Sequence, residues 1–278
     1  MTLQVSKLLF LLFNLFRHAT AAAFTASVLS FYSGFGLGTL LMPVLALFFP
    51  LPAAIAATAV VHGSNNLFKI AMVGIKADKD LVLKFGLPAI AAAFAGAWAL
   101  HLFTSVSGSA AFSYTLLGKT AVITPLKLLL ALLMLGFAAA DLHPKLKKMK
   151  FDRRYLPLGG ALSGFFGGLS GHQGALRSAF LVKTDVTPEA FVATNAVIGF
   201  MVDFSRLCVY AYTIFALGDA AAAGYKFPAG VAGVAVLASV AGVLIGLKFL
   251  HKVTISVIQA LTAAMLAAIA VFLGAGLI

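Results

Sequence analysis

The segment 167–180, GGLSGHQGALRSAF, places polar and cationic side chains inside a long apolar region. An arginine at the centre of an apolar membrane helix costs roughly 2.5–3.5 kcal/mol on insertion scales, and it is usually functional or paired. The guanidinium of Arg177 offers a planar fork of donors that fits an oxyanion. We therefore predict that Arg177 holds an anion. The alternatives are that Arg177 reaches an interface or pairs with Asp203.

Glycines interrupt this segment and a matching one earlier in the chain. The sequence SGFGLGTLLMP at 33–43 corresponds to LSGHQGALRSA at 169–179. Glycine is poor in helix interiors and permits conformations that other residues avoid. Half-helix ends at such breaks expose N–H groups and a positive dipole end, which suit an anion. The alternative is that the glycines only allow close helix packing. The matched pair of breaks, with Arg177 beside one of them, favours a site.

Further polar residues lie on two neighbouring helices. In HGSNNLFK, His62, Asn65, Asn66 and Lys69 share roughly one helical face. His172 either contacts the anion, carries a proton or is a structural hydrogen-bonding residue. The predicted substrate-binding residues are Gly36, Gly38, Asn65, Asn66, His172, Gln173, Gly174, Arg177 and Ser178, and the predicted proton-coupling residues are His62 and Asp203.

Three charged residues also have simpler interpretations. Asp203 and Arg206 lie three residues apart, and mutual neutralisation is the favoured interpretation of this pair. Lys69 and Arg206 lie near the ends of equivalent spans, where long cationic side chains commonly reach the interface.

The composition indicates an integral membrane protein. The chain has 278 residues, of which 62% are hydrophobic and 10% are charged. Soluble domains are about 45–50% apolar and about 25% charged. The apolar runs exceed about 18 residues, the length that crosses a bilayer as a helix. We predict an all-α fold with about eight spans, at 24–49, 53–73, 81–103, 123–140, 156–182, 188–215, 228–250 and 255–277.

The basic residues predict the topology. They cluster in loops 74–84 and 141–155, which with eight spans share one side, and that side is predicted to be cytoplasmic. We expect the inner (plasma) membrane, with lipid as a partner and no nucleic acid. The run KLKKMKFDRR is interpreted as a topogenic linker rather than a lipid- or nucleic-acid-binding patch. The predicted regions are 1–23, a retained interfacial or first membrane helix rather than a signal peptide; 24–141, a first repeat unit; 142–155, a basic cytoplasmic linker; and 156–278, a second unit.

The two units align without a gap. When Gly38 falls on Gly174, Pro52 falls on Pro188 and Gly63 on Gly199. An even number of spans in each unit implies repeats of the same orientation. This inference fails if the broken spans turn back without crossing.

The sequence excludes several chemistries. The single cysteine gives neither a disulfide framework nor a cysteine metal site. Among eight acidic residues few lie within spans, so paired-carboxylate catalysis has little to work with. The chain contains no HExxH helix, nucleophile elbow or Walker loop. We expect no enzyme activity, no metal and no cofactor.

The duplicated unit resembles the TauE/SafE family of sulfite and sulfonate exporters. The resemblance runs from about residue 29 to the C-terminus and rests on SGFGLGTLLMPVL with PAAIAATAVVHGSNNLFKIAMVG, and on SGFFGGLSGHQGALRSAFLV with TPEAFVATNAVIGFMVDFSRL. It implies seven to eight spans and export of small sulfur oxyanions or organosulfonates. Family members commonly show a denser glycine run followed by proline in both units, whereas here the second break holds His172, Gln173 and Arg177, so the substrate can differ from sulfite.

The function predicted from these features is secondary transport, by export, of a small anion such as sulfite or an organosulfonate, bound between the two broken helices. One alternative is a proton-coupled transporter of a cation or neutral solute that uses Asp203. Another is a non-transporting membrane subunit. A homodimer is also expected.

Overall fold

The computed structural model describes residues 2–33, 36–107, 111–116, 118–143, 151–181, 184, 186–216, 223–225, 229–249 and 255–278. The chain is mostly helical (85%). The principal helices are α1 (Thr2–Ser33), α2 (Leu37–Ala46), α3 (Leu51–Val73), α4 (Leu87–Ser107), α5 (Pro125–Leu142), α6 (Leu156–Ser170), α7 (Gly174–Leu181), α8 (Pro188–Ala216), α9 (Ala229–Phe249) and α10 (Ile255–Gly274). A short turn, Lys79–Leu81, and a π-helical segment, Val82–Gly86, lead directly into α4.

Three helical stretches of the described chain are long and apolar enough to cross a membrane. They are Lys79–Val106, Pro188–Ala216 and Ala229–Lys248. The last has a mean hydropathy of 2.3 and is apolar on all sides, as expected for a helix surrounded by lipid or protein. The eight-span count therefore remains a prediction.

The sequence led us to expect an all-α fold, but the structure also contains a two-stranded sheet. Strands β1 (Phe112–Leu116) and β2 (Lys119–Ile123) form an antiparallel hairpin in which Phe112 pairs with Ile123. Strand β1 alternates aromatic residues with Ser and Thr, and β2 ends in β-branched Val122 and Ile123, which suits a sheet, and Gly118 adopts a positive φ in the turn. The N–H of Val122 donates to the carbonyl of Gly276, so the hairpin covers the C-terminal end of α10.

Helices α6 and α7 form a helical hairpin, which we call hairpin 2. The chain reverses at Gly171, whose φ of 80° favours glycine. At the far end of α7, the Phe180 ring lies 2.6 Å from where a Cβ on Gly159 would stand. The same ring stacks on Phe151, with centroids 4.1 Å apart. Since both contacts are with residues at the start of α6 or before it, α7 runs back along α6.

Helices α1 and α2 form a similar hairpin, hairpin 1. Gly36 has a φ of 83° where α2 begins. Just after α2, the ring of Phe48 stacks on His18 of α1 with centroids 6.0 Å apart, so α2 also runs back along its predecessor. Helix α1 continues unbroken through residues 23 and 24, so the boundary predicted there is not a helix end. The division of the chain into regions 1–23, 24–141, 142–155 and 156–278 remains a prediction.

The equivalent helices α3 and α8 cross in antiparallel directions. A Cβ on Gly63 would lie 3.3 Å from Cβ of Asp203, and one on Gly199 would lie 2.6 Å from Nδ2 of Asn66. Later residues of α3 therefore contact earlier residues of α8. The prediction that the two units share one orientation is wrong for these helices, because equivalent helices of repeats with the same orientation would run in the same direction.

The hairpins enter the bundle from opposite ends. Hairpin 2 is rooted at the end that carries Lys76, Lys79, Lys84, Arg153 and Arg154, which we call the basic end. There an apolar cluster joins Leu81, Phe85, Leu156, Phe180 and Val243. Hairpin 1 is rooted at the end that carries β1 and β2, the β end, in a larger cluster that includes Ala23, Leu45, Ile55, Tyr210 and Leu273.

Glycines hold hairpin 2 close to α4. Gly160, Gly164 and Gly168 lie along one face of α6, and a Cβ on each would come within 2.1–2.2 Å of a carbonyl oxygen of α4 or of the π-helical segment before it. No side chain fits in these spaces. The packing interpretation of the glycines is therefore correct for Gly168, whereas Gly171 is required by the turn.

Candidate functional site

The tips of the two hairpins meet in the middle of the molecule. A Cβ on Gly36 would lie 3.3 Å from Cα of Gly174, and one on Gly38 would lie 3.2 Å from the carbonyl oxygen of Gly171. Helices α2 and α7 both begin here. Their first-turn N–H groups lack partners within the helix, and both positive dipole ends point into this region.

A small cavity lies beside the tip of hairpin 1. Its volume is about 20 Å³, enough for one water molecule. It is lined by residues of α1, α3, α7 and α8 and by Gly36. The lining residues are Ser30, Phe31, Gly36, His62, Asn66, Lys69, Arg177, Phe191, Val192, Asn195 and Ala196.

Arg177 is buried and held by two neutral amides. Its Nε donates to Oδ1 of Asn195 at 2.7 Å, and its Nη1 donates to Oε1 of Gln173 at 3.0 Å. Only 2% of the residue is exposed, so it does not reach an interface. Within the described chain it forms no ion pair. The amides orient the guanidinium while leaving its charge uncompensated.

Lys69 is a second buried cation of the cavity. It is 6% exposed, and its ammonium lies 5.4 Å from the centroid of the Phe31 ring. The interpretation that Lys69 reaches the interface is therefore wrong. Cation–π attraction holds the ammonium in place without neutralising it. Among the described residues no carboxylate pairs with it.

Asp203 is the centre of a dense hydrogen-bond network. Its Oδ2 lies 2.6 Å from Nδ1 of His62 and accepts from Nδ2 of Asn66 at 3.2 Å. Its Oδ1 accepts from Nη2 of Arg206 at 2.7 Å and from Nε2 of Gln173 at 3.0 Å. The predicted neutralisation of Asp203 by Arg206 is confirmed, and Arg206 is fully buried rather than at an interface.

The site carries an excess of positive charge. Lys69, Arg177 and Arg206 are buried around a single carboxylate, that of Asp203. With His62 neutral, this leaves two uncompensated cations among the described residues. Buried charges are costly unless they are paired, so the arrangement suits a bound anion.

Of the nine predicted binding residues, Gly38, Gln173 and Gly174 lie at the hairpin tips without lining the cavity, and three more lie apart from it. Asn65 faces α1 and α9, where its Nδ2 donates to Oγ of Ser27 at 2.8 Å. His172 stacks on Phe137, with centroids 5.8 Å apart, and its Nδ1 lies 3.1 Å from Oγ of Ser170. Ser178 is half-buried and does not line the cavity. The substrate contacts of all three remain predictions.

Sequence reasoning did not include Asn195 among the site residues, and it did not predict that Lys69 lines the cavity. The spacing of His62, Asn66 and Lys69 at i, i+4 and i+7 was the available signal for a shared face. Asn195 gave no comparable signal, because its role depends on Arg177, which approaches from another helix.

These features define the class of protein: a helical integral membrane protein with two broken helices and a buried cationic site, as in membrane transporters. The sequence matches the family described as Sulfite exporter TauE/SafE over residues 19–273. The chain belongs to the TauE/SafE sulfite exporter family, whose members are transporters rather than enzymes. No curated protein matches the chain.

Proposed function

We propose that this protein is a secondary transporter that exports a small anion, either sulfite or an organosulfonate, bound where the hairpin tips meet. The observation that carries the proposal is the burial of Lys69, Arg177 and Arg206 around the single carboxylate of Asp203. The guanidinium of Arg177 and the ammonium of Lys69 supply charge, and the start of α2 at Gly36 supplies backbone donors. An oxyanion is larger than one water, so its binding requires the lining to move.

The hairpins suggest a revised membrane topology. In this proposal hairpins 1 and 2 are re-entrant, and α3, α4, α5, α8, α9 and α10 cross. The loops after α3, α5 and α9 and the segment after α7 then share the basic end. The positive-inside rule makes this end cytoplasmic in the inner membrane.

His62 and Asp203 are proposed to couple transport to protons. They lie on helices from the two different units. Nδ1 of His62 and Oδ2 of Asp203 lie 2.6 Å apart, so the pair connects α3 with α8 where the two helices cross. A proton on this pair reduces the negative charge that an incoming anion meets. The pair is therefore a suitable proton carrier.

Cation transport through Asp203 is less well supported. Both carboxylate oxygens of Asp203 are already in contact with nitrogen atoms. These belong to His62, Asn66, Gln173 and Arg206. A cation would have to displace these donors beside two further cations. A non-transporting role leaves the buried charges unexplained, and a homodimer remains a prediction.

The proposal is tested by transport of ³⁵S-sulfite and labelled taurine into proteoliposomes. We expect wild-type flux for at least one of these anions and a loss of about 10- to 100-fold for Arg177→Gln, because a hydrogen bond to a charged group contributes about 1.5–3 kcal/mol. Arg154→Gln, at an exposed arginine of the basic end, is the matched control. Equal flux in both variants would disprove the role of Arg177. Wild-type flux of neither anion, but of a cation, would favour the alternative.

A further inference from the structure

Three apolar side chains form a contiguous part of the cavity lining. Phe31 of α1 and Phe191 and Val192 of α8 line the cavity, and all three belong to the apolar cluster of the basic end. We call these three residues the apolar wall. Phenyl and isopropyl groups have neither hydrogen-bond donors nor acceptors, so the apolar wall cannot bind the oxygen atoms of an oxyanion. The lining is therefore suited to an oxyanion on one part of its surface only.

The polar part of the lining is held by hydrogen bonds, whereas the apolar wall is held by packing. Arg177 donates to Asn195 and Gln173, and Nδ2 of Asn66 donates to Asp203. The cavity of about 20 Å³ has room for one water molecule, so a substrate needs more space. Displacing the apolar wall breaks no side-chain hydrogen bond, whereas displacing the polar side chains does. The cavity therefore enlarges most easily at the apolar wall.

The lining also lacks a negative group. None of the described residues that line the cavity is acidic. Asp203 does not line it, and both oxygens of its carboxylate already contact nitrogen atoms. A positive group on a substrate would be buried beside Lys69 and Arg177 without a counter-charge, which is strongly unfavourable.

We propose that the substrate of this cavity has a single oxyanion head, bound by Lys69 and Arg177, and an uncharged apolar tail that lies against the apolar wall. The inference rests on the proposed function and narrows its substrate class. An unsubstituted alkanesulfonate has both parts. Sulfite has the head but no tail, so it leaves the apolar wall without a contact. A zwitterionic aminosulfonate is rejected because of its ammonium group.

The position of the apolar wall sets the orientation of the bound substrate. The N–H of Asp78, in the loop after α3 at the basic end, donates to Oγ1 of Thr194 at 2.9 Å. Phe191 and Val192 precede Thr194 on α8, so they also lie towards the basic end. The tail therefore points to the basic end and the head to the hairpin tips. Displacement of the apolar wall by the tail opens the cavity on the side from which an exporter takes its substrate.

The test compares anions that differ by one group. Ethanesulfonate and taurine have the same sulfonate head and the same two carbons, but taurine also carries an ammonium group. In proteoliposomes at neutral pH we expect the KM for ³⁵S-taurine to exceed that for ³⁵S-ethanesulfonate by about 100-fold, the effect of an uncompensated buried charge. The KM for ³⁵S-methanesulfonate should exceed that for ³⁵S-ethanesulfonate by about fourfold, the effect of one buried methylene.

Val192→Asp supplies the missing carboxylate. Val192 lies near the start of α8, where an acidic side chain also suits the helix dipole. This variant should lower the ratio of the KM for taurine to that for ethanesulfonate by about tenfold, because the ammonium gains a charged hydrogen-bond partner. Val192→Asn is the matched control, since it has the same size without the charge and should leave the ratio high.

Comparable KM values for taurine and ethanesulfonate in the wild type would overturn the inference and leave the proposed function standing. Equal KM values for methanesulfonate and ethanesulfonate would also overturn it, because the tail would then not contact the apolar wall. The same holds for equal ratios in Val192→Asp and Val192→Asn. No saturable flux of sulfite or of any of the three sulfonates would overturn the proposed function together with the inference.

Discussion

Gly36 and Gly174 touch at the centre of the molecule, although they belong to hairpins that enter from opposite ends. Their contact brings the N-termini of α2 and α7 together and leaves no room for a side chain between them. Arg177 lines the same cavity as Gly36, and Nη1 of Arg206 lies 3.0 Å from where a Cβ on Gly171 would stand. The hairpin tips therefore combine close backbone packing with buried positive charge.

The turn of hairpin 2 should tolerate only glycine. Gly171→Ala would place a methyl group 3.0 Å from Nη1 of Arg206 and force a left-handed φ that costs about 1–2 kcal/mol. We expect a lower melting temperature in detergent and impaired transport. Gly136→Ala is the control, since a Cβ there meets nothing within 4 Å and alanine favours the helix by about 1 kcal/mol. Equal melting temperatures would contradict the turn geometry.

Asp203 should be essential for stability as well as for transport. Asp203→Asn leaves Arg206 buried without a counter-charge, and breaking such a pair costs about 3–5 kcal/mol. Thermal unfolding in detergent measures the effect. Asp80→Asn removes an exposed pair with Lys84 and should change little. A melting temperature for Asp203→Asn equal to that of Asp80→Asn would show that the network contributes little to the fold.

Lys69 should show opposite effects on stability and function. Lys69→Met replaces an unpaired buried ammonium with an apolar chain of similar length, so we expect equal or higher thermal stability. Sulfite affinity should fall about tenfold, measured as the concentration dependence of ligand stabilisation. Lys84→Met, at an exposed lysine, is the control. Unchanged affinity in Lys69→Met would remove Lys69 from the site.

The re-entrant arrangement predicts the accessibility of engineered cysteines. On a Cys208→Ser background, Tyr155→Cys before α6 and Glu189→Cys in α8 should react with a membrane-impermeant thiol reagent from the same side. Both positions are exposed. Thr120→Cys in β2 should react from the other side. If hairpin 2 crossed the membrane instead, Tyr155→Cys and Glu189→Cys would react from opposite sides.

The His62–Asp203 contact should determine proton coupling. His62→Gln keeps a hydrogen-bonding side chain but cannot carry a proton near neutral pH. We expect sulfite flux in this variant to lose its response to an imposed pH gradient, measured in proteoliposomes with a pH-sensitive dye. His18→Gln, at an exposed histidine of α1, is the control. A full response in His62→Gln would assign coupling to another group.

The sequence by itself determined the class of this protein. Its apolar composition required a helical membrane fold, its paired glycine breaks located the centre, and a buried arginine beside one break indicated an anion. The pairing of Asp203 with Arg206 also followed from sequence, because residues three apart on a helix are neighbours whatever surrounds them.

The tertiary structure decided how these parts are arranged. Whether a broken helix crosses or turns back depends on which helix its glycines pack against, as Gly168 packs against α4, and the sequence does not specify that partner. The antiparallel crossing of α3 and α8 follows from that choice. Periodicity placed Asn65 and Asn66 near one face, but only the neighbouring helices directed Asn65 to Ser27 and Asn66 to Asp203. Local spacing fixes which side chains share a helix face, whereas long-range packing decides what that face contacts.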